Sequence, residues 1–171
     1  ADAVMLSGET SVGKFPVEVI KQMRKIIESV ENSPLISIPS TYIQCVNERY
    51  ISKKICHSAA LLADNIDAEV ITTLTDSGFT AFHISSWRPK SNILVFSSNR
   101  RILAMLNLLW GVKGIYYDKF VSTDQTIEDI NKLSHDLGYL KEGDYAINIT
   151  SMPVRERGMA NTIRITEFKH K

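Results

Sequence analysis

Cysteine is nearly absent: Cys45 and Cys56 are the only two in 171 residues. They lie 11 apart with no histidine pair at metal-ligand spacing, so they define neither a disulfide framework nor a zinc site and read as thiols of a reducing compartment. An excess of charge is also lacking. Twenty Lys and Arg against nineteen Asp and Glu leave a net charge of +1, so no strong field draws the chain to nucleic acid or to an anionic membrane. Long apolar runs are missing as well. Stretches such as Ala59-Ala60-Leu61-Leu62-Ala63 fall far short of a bilayer span. The first residues show no basic-then-apolar leader pattern. A cytoplasmic protein is expected, its partners chosen by local sites. What is present is enough apolar material, 44%, to bury one ordinary core with an appendage.

The chain opens on Ala3-Val4-Met5-Leu6, which reads as a buried strand belonging to something longer. A helix follows, with Val17, Ile20, Met23, Ile27 and Val30 at three-to-four spacing and Pro16 at its first position. Residues 34–48, with Pro34, Pro39 and Ser40, read as a linker. From about residue 49 the pattern alternates. Helices are expected over 51–65, 80–87, 101–110 and 126–137, and short β-branched or apolar strands over 69–74, 92–96, 114–117, 144–149 and 161–168. Strand, helix and strand at these intervals require crossovers and hence a largely parallel sheet. The last two strands are joined by only 11 residues, Thr150 to Ala160, too few for a crossover helix. They are expected to pair antiparallel or to leave a long functional loop. The fold class is therefore α/β: a three-layer α/β/α sandwich on a mostly parallel five-stranded sheet whose last strand is antiparallel.

Three stretches carry candidate chemistry. "SGETSVGKFP", Ser7 to Pro16, comes within one residue of the phosphate-binding pattern G-x-x-x-x-G-K-[ST]. Phe15 stands where a hydroxyl must ligand Mg²⁺, however, and Glu9 puts a carboxylate among would-be phosphate donors. The stretch reads instead as a strand-to-helix turn. "TLTDSGFTAF" offers Thr75, Ser77 and Thr80 hydroxyls, Gly78 for close backbone approach, and the amino end of a helix, which together suit an anion. Spacing alone favours a plain helix cap by Ser77 or Thr80, and Asp76 opposes a phosphate. In "TSMPVRERGMAN", Arg155 and Arg157 flank Glu156 at the carboxyl end of a strand and either fork onto a phosphate or remain solvated. His57, His83, His135 and His170 are scattered and define no triad or metal site.

At "DAVMLSGETSVGKFP" the sequence resembles the pyruvate kinase family, whose last barrel strand and helix carry the form D-A-x-M-L-S-G-E-[TS]-x-x-G-x-[YF]-P. Thr75, Ser77, Gly78, Thr80, Ala81, Ile84, Arg88, Pro89 and Ile93 are similar to a second family block, and Gly143-Asp144 and the stretch from Gly158 to Arg164 to two more. The resemblance implies that residues 1–33 are the end of a (β/α)₈ catalytic barrel, its last strand and helix. It implies that 49–171 are the C-terminal regulatory and oligomerisation domain of an enzyme moving phosphate from phosphoenolpyruvate to ADP. It further implies a homotetrameric parent using Mg²⁺ and K⁺ held by residues outside this chain, a supporting role for Ser7 and Glu9, and an effector phosphate on Thr75, Ser77, Gly78, Phe79 and Thr80 beneath a loop of Arg155, Arg157 and Gly158. Asp76 and Thr126 stand where bisphosphate-activated members carry basic residues. A sugar phosphate, a nucleotide monophosphate or no effector at all stay open. The alternative from another class is a stand-alone α/β phosphate-binding or interaction module.

Overall fold

Five short runs rich in Val, Ile and Thr form one sheet: each pairs its backbone with a neighbouring strand, and helices cover the faces of the central strands. The computed structural model describes residues 1–33, 49–119, 122–152 and 159–169. The chain divides into two compact units, Ala1–Tyr42 and Ile43–Lys171.

The first unit holds a single helical turn, α1 (Gly8–Ser11), and a long helix, α2 (Pro16–Glu31). Pro16 opens α2 as expected, and Arg24 pairs with Glu28 one turn on. Val19, Met23 and Ile27 form its half-buried stripe. Gly13 has a steric cause: a Cβ there would lie 2.1 Å from the Glu9 carbonyl oxygen, so the turn between the helices admits no side chain. The expected strand at Ala3–Leu6 is not formed. A strand exists only as one side of a hydrogen-bonded ladder, and no described segment of this unit runs beside it.

The second unit contains α3 (Tyr50–Asn65), β1 (Val70–Leu74), α4 (Phe79–Ser85), β2 (Asn92–Ser97), α5 (Arg100–Leu106), β3 (Val112–Tyr116), α6 (Thr123–Asp136), β4 (Tyr145–Thr150) and β5 (Thr162–Glu167). The strand order is β3-β2-β1-β4-β5. The β1–β2, β2–β3 and β1–β4 pairs are parallel and β4–β5 is antiparallel, as the short 150–160 link requires. Successive side chains point to opposite faces. Ile71, Ile93, Val95, Ile147 and Ile149 meet Cys56, Ala59 and Ala63 of α3, Ala81 and Ile84 of α4, and Leu106 of α5. Val70, Leu94, Phe96 and Ala146 meet Ile130 of α6, Tyr117, Leu140 and Phe168. The three layers are thus helices, sheet and helix.

A cluster of buried polar groups sits inside the second layer, centred on Asn148. Asn148, fully buried, donates from Nδ2 to Thr72 Oγ1 (2.7 Å) and to Asn131 Oδ1 (2.8 Å), and its Oδ1 accepts from Thr166 Oγ1 (2.8 Å). The amide thereby ties β4 to β1, to α6 and to β5.

Helix ends explain most shifts from the sequence reading. Ser122 accepts from the Gln125 amide and starts α6 three residues early. Gly138, at φ 81°, ends α6: the Gly138 amide donates to His135 O, and the Tyr139 amide to Ser134 O. Helix α5 stops at Leu106 rather than Trp110, and the Asn107 side chain at its end accepts the Gly114 amide of β3 (2.9 Å). Trp87 is buried with its ring stacked on His57 at 3.9 Å, and Trp110 lies under the Arg88 guanidinium. Arg88 holds a left-handed backbone (φ 52°) directly before Pro89.

Candidate functional site

Strand order reverses at β1: β2 and β3 lie to one side, and β4 and β5 to the other. In open α/β sheets ligands settle beyond the carboxyl ends of strands at such a point. The segment leaving β1 there is Thr75 to Thr80, which runs into α4.

Its shape is set by its own hydroxyls. Thr75 Oγ1 accepts the Gly78 amide (2.9 Å), and Ser77 Oγ accepts the Phe79 amide (3.4 Å). The expected cap by Ser77 or Thr80 is not formed: the N-cap of α4 is Gly78, with no side-chain cap bond, and each hydroxyl that accepts an amide keeps its own O–H to donate. Gly78 is left-handed (φ 79°), and a Cβ on it would meet Leu106 Cδ2 at 3.0 Å and Ile102 Cγ2 at 3.4 Å. Backbone conformation and close packing on α5 both call for glycine. Ser77 and Asp76 are exposed, Thr75 and Phe79 half-buried, and Thr80 buried, its carbonyl accepting from Cys56 Sγ (3.8 Å). The first-turn amides of α4 have no helical carbonyl to bond, since Phe82 is the first to reach back, to Gly78 O.

Two neighbours that the sequence reading passed over shape this loop. Asn99 caps α5 by accepting the Ile102 amide and donates to the Asp76 carbonyl (3.4 Å), bridging the loops after β1 and β2. Its signal was visible, an Asn immediately before an apolar helix. Arg49 lies with its guanidinium 4.7 Å from the centre of the Phe79 ring, a contact that sequence separation conceals.

His83, on the next turn of α4, is held below the usual imidazole range, first by burial and then by the charges of Lys53 and Arg49. Burial first, then Lys54, lowers His57 likewise. A depressed folded-state pKa means that the unfolded chain takes up the proton more readily. The associated stability is therefore complete above about pH 6.5 and is lost as pH falls below it. Urea midpoints should decline between pH 7 and pH 5, with a shallower decline in His83→Gln; identical slopes would remove His83 from that account. Cys56 is a buried thiol pushed up to about 12 by desolvation and is no nucleophile.

The other expected site residues are placed as follows. Arg155, Arg157 and Gly158 lie outside the described residues. Ser7 donates to Glu9 Oε2 (3.2 Å), and hydrogen bonds from the Glu9 and Ser7 backbone hold the Glu9 carboxyl below its usual range. Thr126 is buried on α6. Asp124, in the first turn of α6, pairs with Arg164 of β5. Among the described residues, no group of three or more His, Cys, Asp or Glu is able to hold a metal ion, and no helix is long and apolar enough to cross a membrane.

Residues 53–166 match the family model described as pyruvate kinase, alpha/beta domain. The chain belongs to the pyruvate kinase family. It is 30% identical over 170 residues to a pyruvate kinase of Clostridium acetobutylicum, covering 96% of this chain and 35% of that one. It is 31% identical over 168 residues to pyruvate kinase 2 of a Synechocystis species, covering 98% and 28%. A solved pyruvate kinase of Cryptosporidium parvum superposes with a TM-score of 0.80 at 26% identity, covering 95% of this chain and 32% of that one. The chain spans about a third of the length of the pyruvate kinases that it matches.

Proposed function

We propose that this chain is the regulatory and assembly part of a pyruvate kinase, an enzyme transferring phosphate from phosphoenolpyruvate to ADP, and that the loop from Thr75 to Thr80 binds a phosphorylated effector. The observation that carries the effector reading is the loop itself. Two hydroxyls, a left-handed glycine and first-turn amides that reach no helical carbonyl gather at the carboxyl end of β1. Asp76 opposes this grouping, which favours a ligand of modest negative charge over a bisphosphate. The Mg²⁺ and K⁺ that the family implies are assigned to no residue here, and Ser7 and Glu9 serve as support at the barrel end. Self-association, with a homotetrameric parent, is part of the same proposal. The sheet ends on β3 and β5, each with one neighbour, and Ile165 of β5 is half-exposed; open edges of this kind invite pairing.

The 171-residue chain is expected to bind a phosphate monoester and to leave ADP unphosphorylated in the presence of phosphoenolpyruvate. Titration calorimetry and a coupled ATP assay check the two halves. Turnover by this chain would mean that the chemistry lies within it, and absence of any heat with phosphate esters would remove the effector site.

A further inference from the structure

The outer strands of the sheet are β3 and β5, and β3 is closed by its own chain. The Ile93 amide donates to Gly111 O at one end of the β2–β3 ladder, and the Tyr117 amide to Ser97 O at the other. Alternate residues of a parallel strand face the same neighbour. Lys113 and Ile115 therefore turn their backbone groups to β2, and Val112, Gly114 and Tyr116 turn theirs outward. Two of these three outward amides already have acceptors: Val112 donates to Leu109 O (3.3 Å), and Gly114 to Asn107 Oδ1 (2.9 Å). The Tyr116 amide meets no acceptor among the described residues, and its ring lies under the Arg100 guanidinium at 4.2 Å. Lys113, exposed, adds a second cation to the strand.

Gly114 brings the guarding side chain within reach. A Cβ there would meet Leu103 Cδ2 at 3.1 Å and Leu103 O at 3.2 Å, so glycine lets α5 lie close enough for Asn107, one residue past its end, to bond the strand. An outer strand with free amides is a template for another chain, and bound amides and edge cations remove that template. The need for a guard is local: Met105 and Leu108, in the segment leading into β3, are 60% and 66% exposed. We propose that Asn107 closes the β3 edge against strand addition by a second copy of this chain, which leaves β5 for the self-association proposed above. The closure of β3 does not depend on that self-association.

Hydrogen exchange followed by NMR on the 171-residue chain reads the closure without any substitution. The Val112 and Gly114 amides are expected to exchange about tenfold or more slowly than the Tyr116 amide, since one hydrogen bond is worth about a decade. In Asn107→Ala the Gly114 amide is expected to lose that protection, and light scattering after gel filtration is expected to show species larger than the native chain forms at the same concentration. Asn107→Asp, whose carboxylate still accepts the amide, is expected to keep both readings native. Position 107 is exposed, so urea midpoints of both variants are expected to stay near the native one. Gly114 exchange as fast as that of Tyr116 in the native chain overturns the closure. An Asn107→Ala chain of native mass, one that associates only because it has unfolded, or an Asn107→Asp chain that associates in the same way as the alanine variant overturns the guarding role.

Discussion

Replacing Asn148 with alanine is expected to cost about 3 kcal/mol of folding stability, a large fraction of the 5–15 kcal/mol that a domain usually possesses. The amide fills three hydrogen-bonding roles at once. Its loss strands the Thr72 hydroxyl and the Asn131 carbonyl oxygen where they are almost wholly buried. Each stranded group carries a desolvation penalty of about 1–3 kcal/mol, and the small cavity adds to it. Thr166, at the sheet edge, still reaches water and adds less. Urea denaturation gives the number directly, and a loss below about 1 kcal/mol would show that the network relaxes around the gap. Removing the polar pair together, as Asn148→Leu with Asn131→Leu, should be milder than Asn148→Ala, because fewer unmatched groups remain.

Introducing a carboxylate at Ser77 is expected to weaken phosphate-ester binding by about 100-fold or more. Two like charges about 4 Å apart near a protein surface repel by about 4 kcal/mol, and each 1.4 kcal/mol is a decade. The fold should tolerate Ser77→Glu: the position is exposed, and an acid at a helix amino end is favourable. Ser77→Ala, which removes only a hydroxyl, should cost about tenfold or less. Calorimetry on both variants, with urea midpoints as the control, separates charge from contact. An undiminished affinity in Ser77→Glu would place the phosphate elsewhere.

The layered sheet could be read from the sequence because Val70 to Leu74, Asn92 to Phe96 and Tyr145 to Ile149 are β-branched or apolar runs too short for helices, set at crossover spacing. The antiparallel last strand was one of the two outcomes that chain length left open, since 11 residues cannot carry a crossover. The placement of Asn148 was not legible. In a strand pattern it is one polar residue among several, and only the depth of its surroundings and the arrival of Asn131 from α6 make it a tie. The opening strand failed for the converse reason, because apolar content marks a strand only where a neighbour exists to pair with it. At the candidate site, the hydroxyls of Thr75 and Ser77 were visible and their mutual bonding was not. Arg49 and Phe79 meet across a sequence separation that no local pattern reports.

The strand order carries a consequence for how the chain comes to be folded. β1, first of the five to leave the ribosome, obtains its second neighbour only when β4 arrives, 76 residues after it at the Thr72–Asn148 contact. Until then β1 has β2 on one flank and an unsatisfied row of amides and carbonyls on the other. A nascent chain stalled before residue 145 therefore has no self-sufficient half of this domain to fall back on. The β1–β4 pairing forms only once residue 150 has emerged, so the candidate-site end of the sheet is assembled late in synthesis, with only β5 still to add.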